Sequence, residues 1–189
     1  MTSVRVLLLS GSTRTGSTNT AALRAAAASA TDGVTPVLLD LLRTLPPFSP
    51  DDDRDPLPPD VARLRAEVAA ADAVLVCTPE YAGALPGSFK NLLDWLVGGG
   101  EADGKPVAWL DVAAPGRGSG ARAELATVLG YLGTHVVEEA CVSVHVPRDA
   151  LGEDGEVADP ALRAELGAVV GTLAELVGQD RAGTSQTAS

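Results

Sequence analysis

Aromatic side chains are scarce in this sequence, with two Trp, two Tyr and two Phe making up 3% of the chain, so its core has to be built from Leu, Val and Ala. Cysteine is as rare. Cys77 and Cys141 both sit in apolar runs where a small hydrophobe serves, and no CxxC or Cys/His cluster accompanies them, which argues against a disulfide framework or a zinc site. A phosphatase C-x5-R motif is excluded because Gly83, not Arg, lies six residues after Cys77. The two histidines, His135 and His145, stand apart from the glycine-rich loops described below. No apolar stretch approaches the ~20 residues of a membrane span, and the run within Met1 to Leu9 is too short for a secretory leader, so a cytoplasmic location is expected. Bases are also outnumbered: 14 against 25 acids give a net charge of −11, which opposes long-range attraction to nucleic acid or anionic membranes. An anionic ligand therefore has to be held by contact, which is feasible because distant carboxylates are screened beyond a Debye length of about 8 Å.

What the chain does have is a concentration of small polar residues at Ser10 to Asn19, Ser-Gly-Ser-Thr-Arg-Thr-Gly-Ser-Thr-Asn. Before it, Val4, Val6, Leu7, Leu8 and Leu9 form a nearly continuous apolar run, as expected of a strand buried on both faces of a parallel sheet. After it, Thr20 to Ala30 is dominated by Ala and has no helix breaker. A strand, a glycine-containing turn and a helix start direct backbone N–H groups and the positive end of a helix dipole at an anion in the turn. Ser10, Ser12, Thr13, Thr15, Ser17 and Thr18 add hydroxyls, Asn19 an amide and Arg14 a guanidinium. Capped turns use the same residue types, but one cap does not need so many donors. Gly11 and Gly16 have the spacing of the nucleoside-triphosphate loop, yet Ser17 replaces its lysine, and G-x-G-x-x-G fails at Ser12 and Thr13. A terminal phosphate monoester, such as that of a mononucleotide, fits best.

Along the chain, strands are expected at Val34 to Leu39, Ala73 to Thr78, Val107 to Val112, and Val136 to Val146 with a break at Glu138 and Glu139. Helices are expected at Val61 to Ala71 with Asp60 as N-cap, Phe89 to Leu96, Ala121 to Leu132 and Pro160 to Val177. The acidic run Asp51 to Asp55 reads as a solvated loop. Five strands alternating with five helices, with no internal repeat, predict an α/β doubly wound, three-layer parallel sheet. At this length the chain forms one domain, over residues 1–177, with Gly178 to Ser189 as a flexible polar tail. Two further special loops follow strands: Pro79-Glu80-Tyr81-Ala82-Gly83 after the third, and Ala114-Pro115-Gly116-Arg117-Gly118 after the fourth. Ligands of open α/β sheets bind at such carboxyl ends. Glycine-rich backbone approaches a planar ring closely and Tyr81 offers a ring to stack, so a flat heterocycle carrying one phosphate, such as flavin mononucleotide (FMN), suits all three loops.

On Gly11-Ser12-Thr13-Arg14 with Ser17 and Asn19, on Pro79-Glu80-Tyr81 with Pro86-Gly87, Lys90-Asn91 and Asp94-Trp95, and on Gly118 to Ala123 with Leu132-Gly133, the sequence resembles the NADPH-dependent FMN reductase family over roughly Val4 to Val146. That family is flavodoxin-like and includes quinone, chromate and azo-dye reductases. The resemblance implies strand order 2-1-3-4-5, FMN as cofactor and NADPH (or NADH) as reductant, with electrons passing to a small acceptor. It implies Ser10, Ser12, Arg14, Ser17, Thr18 and Asn19 around the FMN phosphate. Pro79, Glu80, Tyr81 and Gly83, with Ala114, Pro115, Gly116, Arg117 and Gly118, would surround the ring, and the flavin itself carries the chemistry. It also implies a homodimer or homotetramer through Leu85 to Trp95. Two rivals stay open on sequence alone, a flavodoxin-type electron carrier and a nucleotide-binding module without redox chemistry. Individual residues also have two readings. Arg117 is either a solvated loop cation or a contact for the extra phosphate of NADPH. Glu80 is either an exposed carboxylate or a group that positions a neighbouring subunit or the flavin edge. Lys90 and Asn91 either cap a helix or belong to the assembly element, and Trp95 reads as core or interface packing.

Overall fold

A computed structural model describes residues 3–187, with their side chains through residue 179. Its strands are β1 (Val4–Ser10), β2 (Val34–Leu39), β3 (Ala73–Cys77), β4 (Pro106–Asp111), β5 (His135–Val136) and β6 (Val142–Ser143). Its helices are α1 (Thr18–Ala28), α2 (Pro59–Ala70), α3 (Gly87–Asp94), α4 (Ser119–Tyr131) and α5 (Pro160–Thr187). The strands are parallel in the order β2-β1-β3-β4-β5, with Val4 opposite Val34, Val6 opposite Ala73 and Val74 opposite Val107. This is the doubly wound sheet that the alternation of strands and helices predicts, in the flavodoxin-like strand order that the resemblance implies. The break expected at Glu138 and Glu139 is real: a single 3-10 turn, Glu138–Ala140, separates β5 from β6, and both pair with β4.

Side chains of neighbouring strand residues point to opposite faces of a sheet, so each continuous apolar strand supplies two cores. Val6 and Leu8 of β1, Leu75 and Cys77 of β3, and Ala108 and Leu110 of β4 face α1 and α5. Leu7, Leu9, Val74, Val76 and Val107 face α2, α3 and α4. On the first face the Ala-rich α1 packs tightly, and α5 approaches it so closely that a Cβ on Gly167 would lie 2.9 Å from the Ser29 carbonyl oxygen. On the second face the expected apolar stripes are buried: Val61, Leu64 and Val68 of α2, and Leu125 and Leu129 of α4.

Three details differ from the sequence reading. Helix α2 begins one residue before Asp60, after Pro58, so Asp60 lies in the first turn and favours the helix dipole without capping it. Helix α5 runs past Val177 to Thr187 where a tail was expected, and residues 188 and 189 lie outside the described residues. The acidic run is not uniformly solvated. Asp53 turns inward and accepts a 2.6 Å hydrogen bond from buried Arg65, whose Nε also donates to the Trp95 carbonyl at 2.9 Å. Glu101 completes this node, its Oε2 lying 4.0 Å from Arg65 Nε.

The signature residues of α3 work in the same region. Asn91 accepts from the Phe48 amide at 2.7 Å and donates to the Pro46 carbonyl at 2.9 Å, and the indole N–H of Trp95 donates to that same carbonyl at 2.8 Å. The Trp95 ring meets Phe48 edge-on at 5.0 Å. Trp95 is thus core packing, and Asn91 fastens the proline-rich loop after β2, while Lys90 forms an i,i+4 ion pair with Asp94. Breaking a buried ion pair by removing one partner strands the other charge. Arg65→Ala is therefore expected to destabilise the fold by about 3–5 kcal/mol, seen as a lower urea midpoint; an unchanged midpoint would show that the node adds nothing to stability.

Candidate functional site

Because the sheet is parallel, the loops after β1, β3 and β4 all leave from its carboxyl edge, and specific contacts join them there. The first loop meets the end of β3: the Gly11 amide donates to the Cys77 carbonyl at 2.9 Å, and a Cβ on Gly11 would lie within 2.5 Å of the Thr78 Cβ. Only glycine permits that approach. The loop then turns through Gly16, whose φ of +67° lies in the left-handed region. At the start of α1, Ser17 accepts the Ala21 amide through its carbonyl but makes no side-chain capping bond, and the first turn holds no acidic residue. The orphan amides of this helix end are thus free of a competing carboxylate from the first turn, which suits a phosphate.

Around that end the structure gathers the residues read from the sequence. Ser10 Oγ is 2.7 Å from Thr20 Oγ1, and buried Asn19 accepts a hydrogen bond from the Cys77 thiol at 3.3 Å through its side-chain carbonyl. The two N–H donors of the Asn19 amide are the part left for a ligand. Burial pushes the Cys77 thiol far above its ordinary pKa, so it stays protonated and donates; the thiol is not a nucleophile at neutral pH. Arg14 is exposed at the loop tip and donates to the Gly16 carbonyl at 3.3 Å. A second guanidinium, which the sequence reading did not single out, belongs to the same loop: Arg43, from the segment after β2, donates to the Thr13 carbonyl. Ser10, Ser12 to Ser17, Thr20, Asp40, Arg43 and Glu153 to Gly155 line a cleft of about 640 Å³.

The second loop closes as a tight hairpin in which Tyr81 and Ala84 exchange backbone hydrogen bonds of 3.0 and 3.1 Å. Its central residues, Ala82 and Gly83, both have positive φ, +53° and +78°, the signature of a type I′ turn. Tyr81 is half exposed at its shoulder. In the third loop Ala114 to Arg117 form a turn closed by a 3.0 Å bond from the Arg117 amide to the Ala114 carbonyl, with Pro115 and Gly116 (φ +78°) as its central pair. Ala114, Pro115, Gly116 and Arg117 are all exposed. Asp111 anchors this loop at the end of β4. It accepts the Ala113 amide at 2.9 Å and pairs with Arg122 of α4. Both residues escaped the sequence reading, although a lone acid ending an otherwise apolar strand is a signal for a partner.

Glu80 connects the second loop to the helix that follows the third: its Oε2 accepts the Gly120 and Ala121 amides at 2.7 and 3.1 Å, at the N-terminus of α4. Among the helices that start at this edge, the end of α4 is therefore occupied by a carboxylate of the chain itself, whereas α1, which begins directly at the first loop, has neither an acid in its first turn nor a side-chain cap. The residues fit FMN on this ground, with an anion-ready helix end beside two loops that offer exposed backbone and an aromatic ring. Among the described residues no group of three His, Cys, Asp or Glu is placed to hold a metal ion, and no helix is long and apolar enough to cross a membrane.

Fold and site together define a flavodoxin-like, mononucleotide-binding α/β protein. The comparisons make this specific. The family model described as NADPH-dependent FMN reductase matches residues 4–148, and the chain belongs to that family. It is 35% identical over 164 residues to an NAD(P)H-dependent FMN reductase of Pseudomonas aeruginosa, covering 85% of this chain and 88% of that one. It is 29% identical over 182 residues to the quinone reductase of Escherichia coli, covering 93% and 91%. Among solved structures, the flavoenzyme NAD(P)H:(acceptor) oxidoreductase FerB of Paracoccus denitrificans superposes with a TM-score of 0.78 at 28% identity, covering 93% of this chain and 98% of that chain.

The approach of Gly11 to Thr78 gives a direct test of how the first two loops are joined. Gly11→Ala is expected to cost about 1–3 kcal/mol through overpacking, measured as a lower melting temperature. Wild-type stability in this variant would mean that the loops are not held in contact.

Proposed function

We propose that this protein is an NAD(P)H-dependent FMN reductase that passes electrons from the nicotinamide through FMN to a small acceptor such as a quinone, free flavin, azo compound or metal oxyanion. The observation that carries the reading is the α1 N-terminus, which no first-turn carboxylate or side-chain cap occupies, on the same sheet edge as the loops after β3 and β4. In this reading Ser10, Ser12, Arg14, Ser17, Thr18 and Asn19 hold the phosphate, through hydroxyls, the Asn19 amide, the Arg14 guanidinium and the first-turn amides. Arg43 supports that loop from outside by fixing the Thr13 carbonyl. Pro79, Glu80, Tyr81, Gly83 and Ala114 to Gly118 belong to the two loops beside the ring, whose turns keep backbone groups and the Tyr81 ring presented. When bound, FMN supplies the redox chemistry, accepting hydride from NAD(P)H and returning electrons to an acceptor. The chain's share is to bind, orient and exclude water. Neither histidine lies on these loops, which accords with a site that needs no protein base. The family resemblance supports a cytoplasmic enzyme, a setting in which both thiols stay reduced.

The decisive experiment is the visible spectrum of protein loaded with FMN and freed of excess, before and after anaerobic NADPH. Retained flavin that bleaches faster than a free-FMN control is the expected result; retained but unbleached flavin would favour an electron carrier. Absence of both retention and NADPH-driven FMN turnover would overturn the reading. Arg14→Ala removes a charge-assisted contact of about 1.5–3 kcal/mol and is expected to raise the FMN Kd roughly ten- to a hundredfold; an unchanged Kd would remove Arg14 from the phosphate site.

The proposal includes a homodimer or homotetramer through Leu85 to Trp95. Phe89, Leu92, Leu93 and Trp95 are buried within their own chain, so the assembly surface on this segment has to be its outer side and neighbours such as exposed Tyr81. Light scattering of the purified protein is expected to give at least twice the mass of one chain, and a monomer would reject this part.

A further inference from the structure

The hairpin on one side of the proposed ring site is joined to α4, the helix that continues from the loop on the other side, by a reciprocal exchange of carboxylates. Glu80, after β3, caps α4 by accepting the Gly120 and Ala121 amides. Glu124, one turn along α4, returns the contact by accepting the Leu85 amide at 2.6 Å, just beyond the Tyr81 to Ala84 hairpin. Between these two ties, Gly120 passes so close to the hairpin that a Cβ there would lie 2.8 Å from the Gly83 carbonyl carbon and 3.0 Å from Glu80 Oε2. The hairpin is thus fastened to α4 on both sides and pressed against it in the middle. Neither carboxylate has a salt-bridge partner among the described residues. Glu80 is balanced by the amides and dipole of the helix end, an interaction that depends on direction as well as distance.

We infer that Glu80 is a positioning residue that sets the separation of the Pro79–Gly83 and Ala114–Gly118 loops, and with it the width of the slot for a flat ring, by acting through Gly120 and Ala121 with Glu124 as the second tie. The inference rests on the proposed FMN site. Glu80 acts before the ligand arrives: it holds the slot in its binding-competent form, so losing it leaves only a fraction of molecules competent and raises the apparent Kd by the inverse of that fraction. The phosphate loop is fastened separately, through Gly11 and β3, and does not share this dependence.

The test compares wild type with Glu80→Ala, Glu80→Gln and Gly120→Ala, measuring FMN Kd by quenching of flavin fluorescence, the inhibition constant of inorganic phosphate as competitor, and melting temperature. Glu80→Ala is expected to weaken FMN about tenfold, the effect of losing the hydrogen-bond acceptor at the α4 start, with the phosphate constant unchanged. Glu80→Gln keeps an acceptor oxygen and is expected to recover most of the lost affinity. Gly120→Ala wedges the hairpin and α4 apart, so it is expected to weaken FMN with the phosphate constant unchanged, beside the lower melting temperature that overpacking brings. It decides the matter if Glu80→Ala does not fold. Wild-type FMN affinity in both Glu80→Ala and Gly120→Ala overturns the inference and leaves the FMN reading standing, as does an equal loss of FMN and phosphate affinity. Failure of the wild-type protein to bind FMN overturns the reading itself and the inference with it.

Discussion

Parallel strands all end on the same edge, and that constraint governs everything functional in this molecule. Once β1, β3 and β4 are neighbours, the loops that follow them have to share one rim, and their backbones meet unless side chains keep them apart. Glycine at 11 and 120 removes those side chains at the two junctions, first loop against β3 and second loop against α4. The doubled apolar pattern of the strands makes the rim rigid, because each strand is held by a core on both faces.

Helices α1 and α4 both start at this rim, and the chain treats them differently. Helix α4 receives Glu80, while α1 has neither an acid in its first turn nor a side-chain cap. A ligand with one anionic end is thereby given a direction as well as a place. This resolves the apparent conflict between an anionic ligand and a chain of net charge −11. The overall charge is a long-range property, screened in salt, whereas the first loop offers its hydroxyls, the α1 amides and the exposed Arg14 guanidinium at contact range. Arg43 adds a second guanidinium on the same loop.

Much of this was legible because it is written in local patterns. Val34–Leu39 emerges with the bounds its apolar run predicts, the Glu138–Glu139 interruption emerges as a turn, and the small polar stretch after β1 emerges as the rim of a cleft. What stayed hidden are pairings between residues distant in sequence. Asp53 looks like one more acid in a solvated run until Arg65 is placed beneath it, and Glu124 looks like an ordinary polar position on α4 until the Leu85 amide is seen to need an acceptor. Neither has a local signal. The length of α5 was missed for another reason: Gly178 and the polar residues after it lower helix propensity, which is a weak criterion beside the helix that precedes them.

The fastening of Pro46 by Asn91 and Trp95 bears on how such proteins are sorted. Lys90-Asn91 and Asp94-Trp95 are among the most recognisable marks of this sequence, yet here they secure a loop and a helix to the body of the protein. They describe how the chain is assembled. The first loop, by contrast, serves both ends, since Gly11 to Arg14, Ser17 and Asn19 carry the family resemblance and most of them are also the residues proposed to hold the phosphate.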